Sequence, residues 1–135
     1  MATYVLDSNI LSYAIRNTFD IRKKMIQEVA HGNKLIITTV TLFEVMRGLL
    51  AVNSQNRMSV LETFWKQYGE PVIDEKVFRK AAQIYVELRK IGKPIEDADL
   101  FTAAFCLVND YTLVTNNIKH FINIDGLKMI DWAVI

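Results

Sequence analysis

Two periods of apolar residues alternate along this chain, and the points where one gives way to the other mark its elements. Thr3 to Leu6, Leu35 to Thr38 and Thr112 to Val114 are short, continuous apolar or β-branched runs. Runs of that length suit strands buried on both faces. Apolar residues at helical spacing predict helices between them. The first runs from Asn9 to Arg16 with Ser8 as its N-cap, and the second from Phe19 to Ala30 with Ile21, Met25, Ile26 and Val29 inward. A third helix, capped by Thr39 or Thr41, carries Leu42, Phe43, Val45, Met46, Leu49 and Leu50, and a fourth runs from Met58 to Tyr68 with Val60, Leu61, Phe64 and Trp65 inward. Pro71-Val72-Ile73 reads as a short edge strand. The fifth helix spans Glu75 to Lys90 on Val77, Ala81, Ile84, Tyr85 and Leu88, and Gly92 and Pro94 stop it. A sixth starts with Asp97 as N-cap and continues through Ala103 to Val108; turn and cap residues Thr115-Asn116-Asn117 follow the next strand, and Leu127 to Ile130 closes the series. The order βααβααβααβαβ predicts an α/β fold of three layers, a central parallel sheet of four to five strands with helices on both faces.

Composition narrows this only slightly. The 135 residues suit a single domain spanning 1–135, and 51% hydrophobic with 23% charged residues is the balance of a folded chain. A net charge of +1 neither demands nor excludes a nucleic acid, so any positive surface for RNA must be local. Cys106 stands alone in an apolar helical run and reads as a small buried hydrophobe. Asp7 interrupts any leader-like start, and no apolar segment reaches about 18 residues. The expectation is a cytoplasmic protein with no membrane association.

The chemistry lies in the acids. Asp7 ends the first strand run, and in an open parallel sheet the crevice beyond the strands' carboxyl ends is where ligands bind. Glu44 sits inside an apolar helix that follows a strand, and Glu96, Asp97 and Asp99 crowd the start of another. Capping and the helix dipole account for each acid alone. Asp7, Glu44 and Asp99 from three distant segments, brought to one sheet edge, are a different matter. Carboxylates held together raise one another's pKa unless a cation neutralises them. With oxygen ligands only, that cation is Mg²⁺, or Mn²⁺ in its place. A phosphatase of the aspartyl-phosphate type would need a second Asp where this chain has Asn9.

Four segments in order, Leu6-Asp7-Ser8-Asn9, Phe43-Glu44-Val45-Met46-Arg47-Gly48, Asp99 with Ala103-Ala104, and Leu113-Val114-Thr115-Asn116-Asn117, resemble the PIN-domain ribonucleases, specifically the VapC toxins of type II toxin–antitoxin pairs. The similarity extends to Gly126-Leu127-Lys128 and Asp131-Trp132. It implies a PIN fold and a Mg²⁺-dependent endoribonuclease that cuts single-stranded loops of RNA, leaving a 5′-phosphate. In the enteric VapC proteins that the chain resembles, the target is the anticodon loop of initiator tRNA. The resemblance further implies a VapB-type antitoxin as partner and a homodimer. On it, Asp7 and Asp99 are metal ligands and Glu44 is the third catalytic acid, with Asp97, Ser8, Asn9 and Asn117 in support. Arg47, Lys93 and Lys119 are the candidate RNA contacts. One departure stands out: many relatives carry an acid where this chain has His120. Packing against Phe121 is the role expected of His120, and Asp97 is expected to supplement the metal site through a water, since Mg²⁺ prefers oxygen. A catalytically degenerate PIN domain that only binds RNA or a partner is the alternative, favoured by His120 and opposed by Asp7, Glu44 and Asp99.

Overall fold

All five strands of the computed structural model, which describes residues 1–71 and 74–134, lie parallel in one sheet of order β3-β2-β1-β4-β5. The elements are β1 (Thr3–Leu6), α1 (Ser8–Arg16), α2 (Ile21–Ala30), β2 (Lys34–Thr38), α3 (Thr39–Ala51), α4 (Gln55–Tyr68), β3 (Gly69–Glu70), α5 (Glu75–Lys90), α6 (Asp97–Asn109), β4 (Thr112–Val114), α7 (Ile118–Phe121) and β5 (Lys128–Ile130). This is the order expected from the apolar pattern. The outer strand forms at Gly69–Glu70; the strand expected at Pro71-Val72-Ile73 falls on Val72 and Ile73, which lie outside the described residues.

Alternation along the strands builds the layers, because successive strand residues face opposite ways. Val5, Ile36 and Leu113 face a core shared with Val77, Ile84, Leu88, Leu100, Phe105 and Phe121 of α5, α6 and α7. Leu6, Leu35, Ile37 and Val114 face a second core, filled by Ile10, Leu11, Ile21, Met25, Val45 and Leu61 of α1 to α4. The chain leaves β1 for β2 on one side and returns to β4 on the other. The order therefore reverses between β1 and β4, the place where an α/β sheet opens a crevice at its strand ends.

Helix α5 spans Glu75–Lys90 as expected, while several other helix starts differ from the sequence expectation by a residue or more, each for a local reason. Asp7, not Ser8, caps α1, because its own carboxylate accepts from the Ser8 amide. Thr38 caps α3 through the Thr41 amide. Glu96 precedes α6, so both Asp97 and Asp99 fall in the first turn, where the helix dipole favours acids. The second helix begins only at Ile21; Phe19 stands outside it with positive φ, its ring edge-on to Tyr13. Ile26, Val29, Phe43, Leu50 and Tyr85 fit an apolar period yet are exposed, since a peripheral helix has neighbours along only part of its apolar stripe. Among the described residues, no helix is long and apolar enough to cross a membrane.

Ile36 lies on a central strand and is fully buried. Ile36→Ala is expected to lower stability by about 2–5 kcal/mol, read as a shift in the urea midpoint at unchanged slope; a loss below about 1 kcal/mol would mean that this layer is not packed as described.

Candidate active site

The register that sets Leu6 beside Val114 carries on past both strands, and so brings Thr115 alongside Asp7. The Thr115 hydroxyl donates to Asp7 Oδ2 at 2.9 Å, and the Ser8 amide donates to Oδ1 at 2.8 Å. Asp7 is only 4% exposed. Burial pushes its carboxyl above the usual range, the charge of Asp99 adds to that, and the Thr115 and Ser8 hydrogen bonds and His120 oppose it.

Glu44 comes from α3, which the Thr38 cap starts at the end of β2. Its Oε1 is buried without a hydrogen-bond partner among the described residues. Burial first, then the charges of Asp99 and Asp7, raise its pKa to about 7 against the lowering effect of Arg47. Asp99, in the first turn of α6, faces His120 of α7, with Nε2 and Oδ2 2.7 Å apart. One oxygen from each of Asp7, Glu44 and Asp99 lies within 4.8 Å of the other two.

These residues fit a divalent cation. Three carboxylates this close repel, and the orphaned Glu44 oxygen needs either a proton or a positive ion. An all-oxygen donor set suits a hard ion such as Mg²⁺ or Mn²⁺.

The remaining expected residues scatter. Asp97 is exposed and turns into a neighbouring groove with Val40, Phe43, Arg47 and Phe101; it does not join the cluster. Two residues apart on one helix, Asp97 and Asp99 cannot share a direction. His120 instead stands against Asp99, and it also packs edge-on to Phe121 at 5.1 Å. Ser8 contributes its backbone amide to Asp7, while Asn117 heads α7 with its amide on the Thr115 hydroxyl. Arg47 lies over the Phe43 ring, 5.1 Å from its centre. Lys93 and Lys119 are exposed, in the turn after α5 and on α7.

Two features escaped the sequence. In the sequence Thr115 reads as a turn residue within a family-like segment and carries no role of its own, although its place one past β4, as Asp7 is one past β1, was a usable signal once those strands were paired. The other is a cavity of about 290 Å³ walled by Glu44 and lined by Asn9, Ser12, Arg16, Gly48 and Arg57. Asn9, Glu44 and Gly48 lie in two of the family-like segments, but no local pattern links them to Ser12, Arg16 or Arg57.

Comparison with known proteins gives one consistent picture. A model described as the PIN domain matches residues 4–127. Ribonuclease VapC1 of Methanocaldococcus jannaschii is 33% identical over 112 residues, 82% of this chain and 78% of that one. The tRNA(fMet)-specific endonuclease VapC of Shigella flexneri is 28% identical over 136 residues, 98% of this chain and all of that one. Among solved structures, VapBC2 from Rickettsia felis bound to a DNA fragment from their promoter matches with a TM-score of 0.86 at 27% identity, covering 96% of this chain and 98% of that chain.

The raised Glu44 and Asp7 carboxyls have a consequence for stability. Folded Glu44 keeps its proton to about pH 7, whereas its unfolded value is 4.5. Between those values the folded state binds more protons, so the metal-free protein loses stability as pH rises through that window. The loss is on the order of 1 kcal/mol for a half-buried acid screened by solvent. Glu44→Gln is expected to flatten the profile, and Mg²⁺ to restore stability at the alkaline end. Denaturation of chelator-treated protein across the window checks this; parallel profiles for wild type and Glu44→Gln would show that Glu44 does not carry the proton.

Proposed function

This chain belongs to the PIN-domain family, and from that premise we propose that residues 1–135 form one PIN domain acting as a Mg²⁺-dependent endoribonuclease, the toxin of a type II toxin–antitoxin pair. The observation that carries the reading is the trio Asp7, Glu44 and Asp99, with oxygens within 4.8 Å of one another and a buried Glu44 oxygen without a hydrogen-bond partner among the described residues. Asp7 and Asp99 are the direct ligands and Glu44 the third acid. The chemistry a divalent cation supplies there is Lewis acidity, toward an attacking water and toward the charge that develops on a phosphodiester.

The protein's own part is positional. Thr115 and Ser8 each donate to one oxygen of Asp7, which sets the orientation of its carboxylate. His120 holds the Asp99 carboxylate through Oδ2 and so sets its orientation at the centre. Partners that orient a ligand in this way commonly change metal affinity or activity by about 10–100-fold when removed. No serine or histidine nucleophile is needed.

The Shigella relative is named for tRNA(fMet), and a single-stranded loop of a tRNA is the substrate we assign here. A shallow carboxylate site reaches a splayed loop more readily than a duplex groove. Such a substrate places the protein in the cytoplasm. A VapB-type antitoxin and a second copy of the chain are its protein partners. The structural match to a VapBC complex supports the first, and exposed apolar Phe43, Leu50 and Val52 on and just past α3 support both.

Partner-free protein incubated with tRNA should cut a loop and leave a perfect RNA duplex intact, with activity lost on adding EDTA. Asp7→Asn and Asp99→Asn should each reduce the rate by about a hundredfold or more while the protein stays folded. His120→Ala should raise the Mg²⁺ concentration for half-maximal cleavage several-fold, and Asp97→Asn should leave it unchanged. Binding of RNA with no cleavage under any divalent ion would establish the degenerate domain instead, and the reverse order for His120 and Asp97 would return the supporting role to the acid. In sedimentation, the isolated chain at micromolar concentration should run as a dimer; a strict monomer would count against self-association.

A further inference from the structure

Three helices meet at the cavity beside Glu44, and two of them carry residues that their own helices do not favour. Gly48 lies inside α3 with ordinary backbone geometry, and a Cβ added there would meet nothing within 4 Å. Glycine inside a helix is less stable than alanine by about 0.5–1 kcal/mol. No internal contact explains keeping it. Arg57 sits in the first turn of α4, where the helix dipole disfavours a cation. Arg16, in the last turn of α1, lies over the Tyr13 ring with its guanidinium carbon 5.4 Å from the ring centre. Among the described residues, neither arginine has a carboxylate within ion-pair distance. Asn9 and Ser12 line the same space.

We propose that this cavity is an anion subsite, in which Arg16 and Arg57 hold the RNA backbone phosphate next to the one being cut. The inference rests on the ribonuclease reading and adds to it a second point of attachment. Glu44 is the shared wall: it belongs both to the carboxylate trio and to the cavity lining. A chain whose scissile phosphate stands over the trio therefore runs on past Glu44 into the cavity. Two guanidinium groups match a phosphate as planar, multi-donor cations. Absence of a side chain at Gly48 leaves the floor open for the sugar–phosphate backbone. Positive charge gathered here also meets the requirement set by a net charge of only +1, that attraction to RNA be local. An acidic segment of a protein partner could use the same arginines, but continuity with the trio favours the nucleic acid.

The test uses a short, unstructured, end-labelled oligoribonucleotide and full-length protein carrying Asp7→Asn, so that binding is read without cleavage. Adding Arg16→Gln and Arg57→Gln together should weaken binding about tenfold or more. It should also reduce the slope of log affinity against log salt by about 0.7, the contribution of one neutralised phosphate on a single strand. Gly48→Leu should weaken binding comparably while the melting temperature holds or rises. In the wild-type background, the arginine pair should leave Mn²⁺ binding, followed by calorimetry, unchanged. Equal affinity and equal salt slope in parent and double variant would overturn the subsite while leaving the ribonuclease reading intact. Retained RNA binding with loss of binding to polyglutamate would overturn it in favour of an acidic protein partner. A parent that binds no RNA, together with a wild type that cuts none, would remove the ribonuclease reading and this proposal with it.

Discussion

Burying a carboxylate at the end of a strand and bringing two more against it is unfavourable unless each oxygen has a partner, and the surroundings of Asp7 are arranged to supply them. Its Oδ2 takes the Thr115 hydroxyl and its Oδ1 takes the Ser8 amide. The same Thr115 oxygen accepts the Asn117 amide at the head of α7, and α7 carries His120 to Asp99. Asp7 and Asp99 are thus linked through one threonine and one short helix as well as by their mutual repulsion. This chain of contacts exists only because β1 and β4 are neighbours in a parallel sheet.

The fold can tolerate the repulsion because the cost is small beside what holds the layers. Each fully buried Leu, Ile or Val contributes about 1.5–3 kcal/mol relative to exposure. The two cores on either face of the sheet hold many such residues. Uncompensated charge therefore persists at the strand ends, where a bound cation would relieve it. Stability and function pull in opposite directions at this point, as is common where a site is built to bind something the bare chain lacks.

Charge is divided in space. The trio concentrates negative potential at the crevice between β1 and β4, and Arg16 and Arg57 concentrate positive potential on the other side of Glu44. A polyanion needs both: a neutralised acidic centre for the bond that breaks and a basic neighbour for the backbone that stays. A nearly neutral chain can bind RNA in this way, because interactions beyond a Debye length are screened and only the local arrangement counts.

The sequence alone determined the element order, the parallel α/β architecture and the three acids that the fold gathers. The elements follow from local periodicity, with continuous apolar runs bounded by turns for Val5-Leu6, Leu35 to Ile37 and Leu113-Val114 and helical spacing for the segments between; the acids stand out as Asp7 just beyond a strand, Glu44 inside an apolar helix and Asp99 at the crowded start of another. Helix starts were less legible, as the caps at Asp7, Thr38 and Glu96 show, because several adjacent polar residues compete for the same amide groups. Only the tertiary structure decided which polar residues meet. His120 is 21 positions from Asp99 and Thr115 is 108 from Asp7. No periodicity links them; the sheet register and the approach of α7 do. For the same reason Asp97, adjacent to the cluster in sequence, points away from it, and Arg16 and Arg57 converge from different helices on a cavity to which no motif ties them. Periodicity reports which face of an element is buried, whereas a side chain's partner across the fold depends on how those faces are stacked.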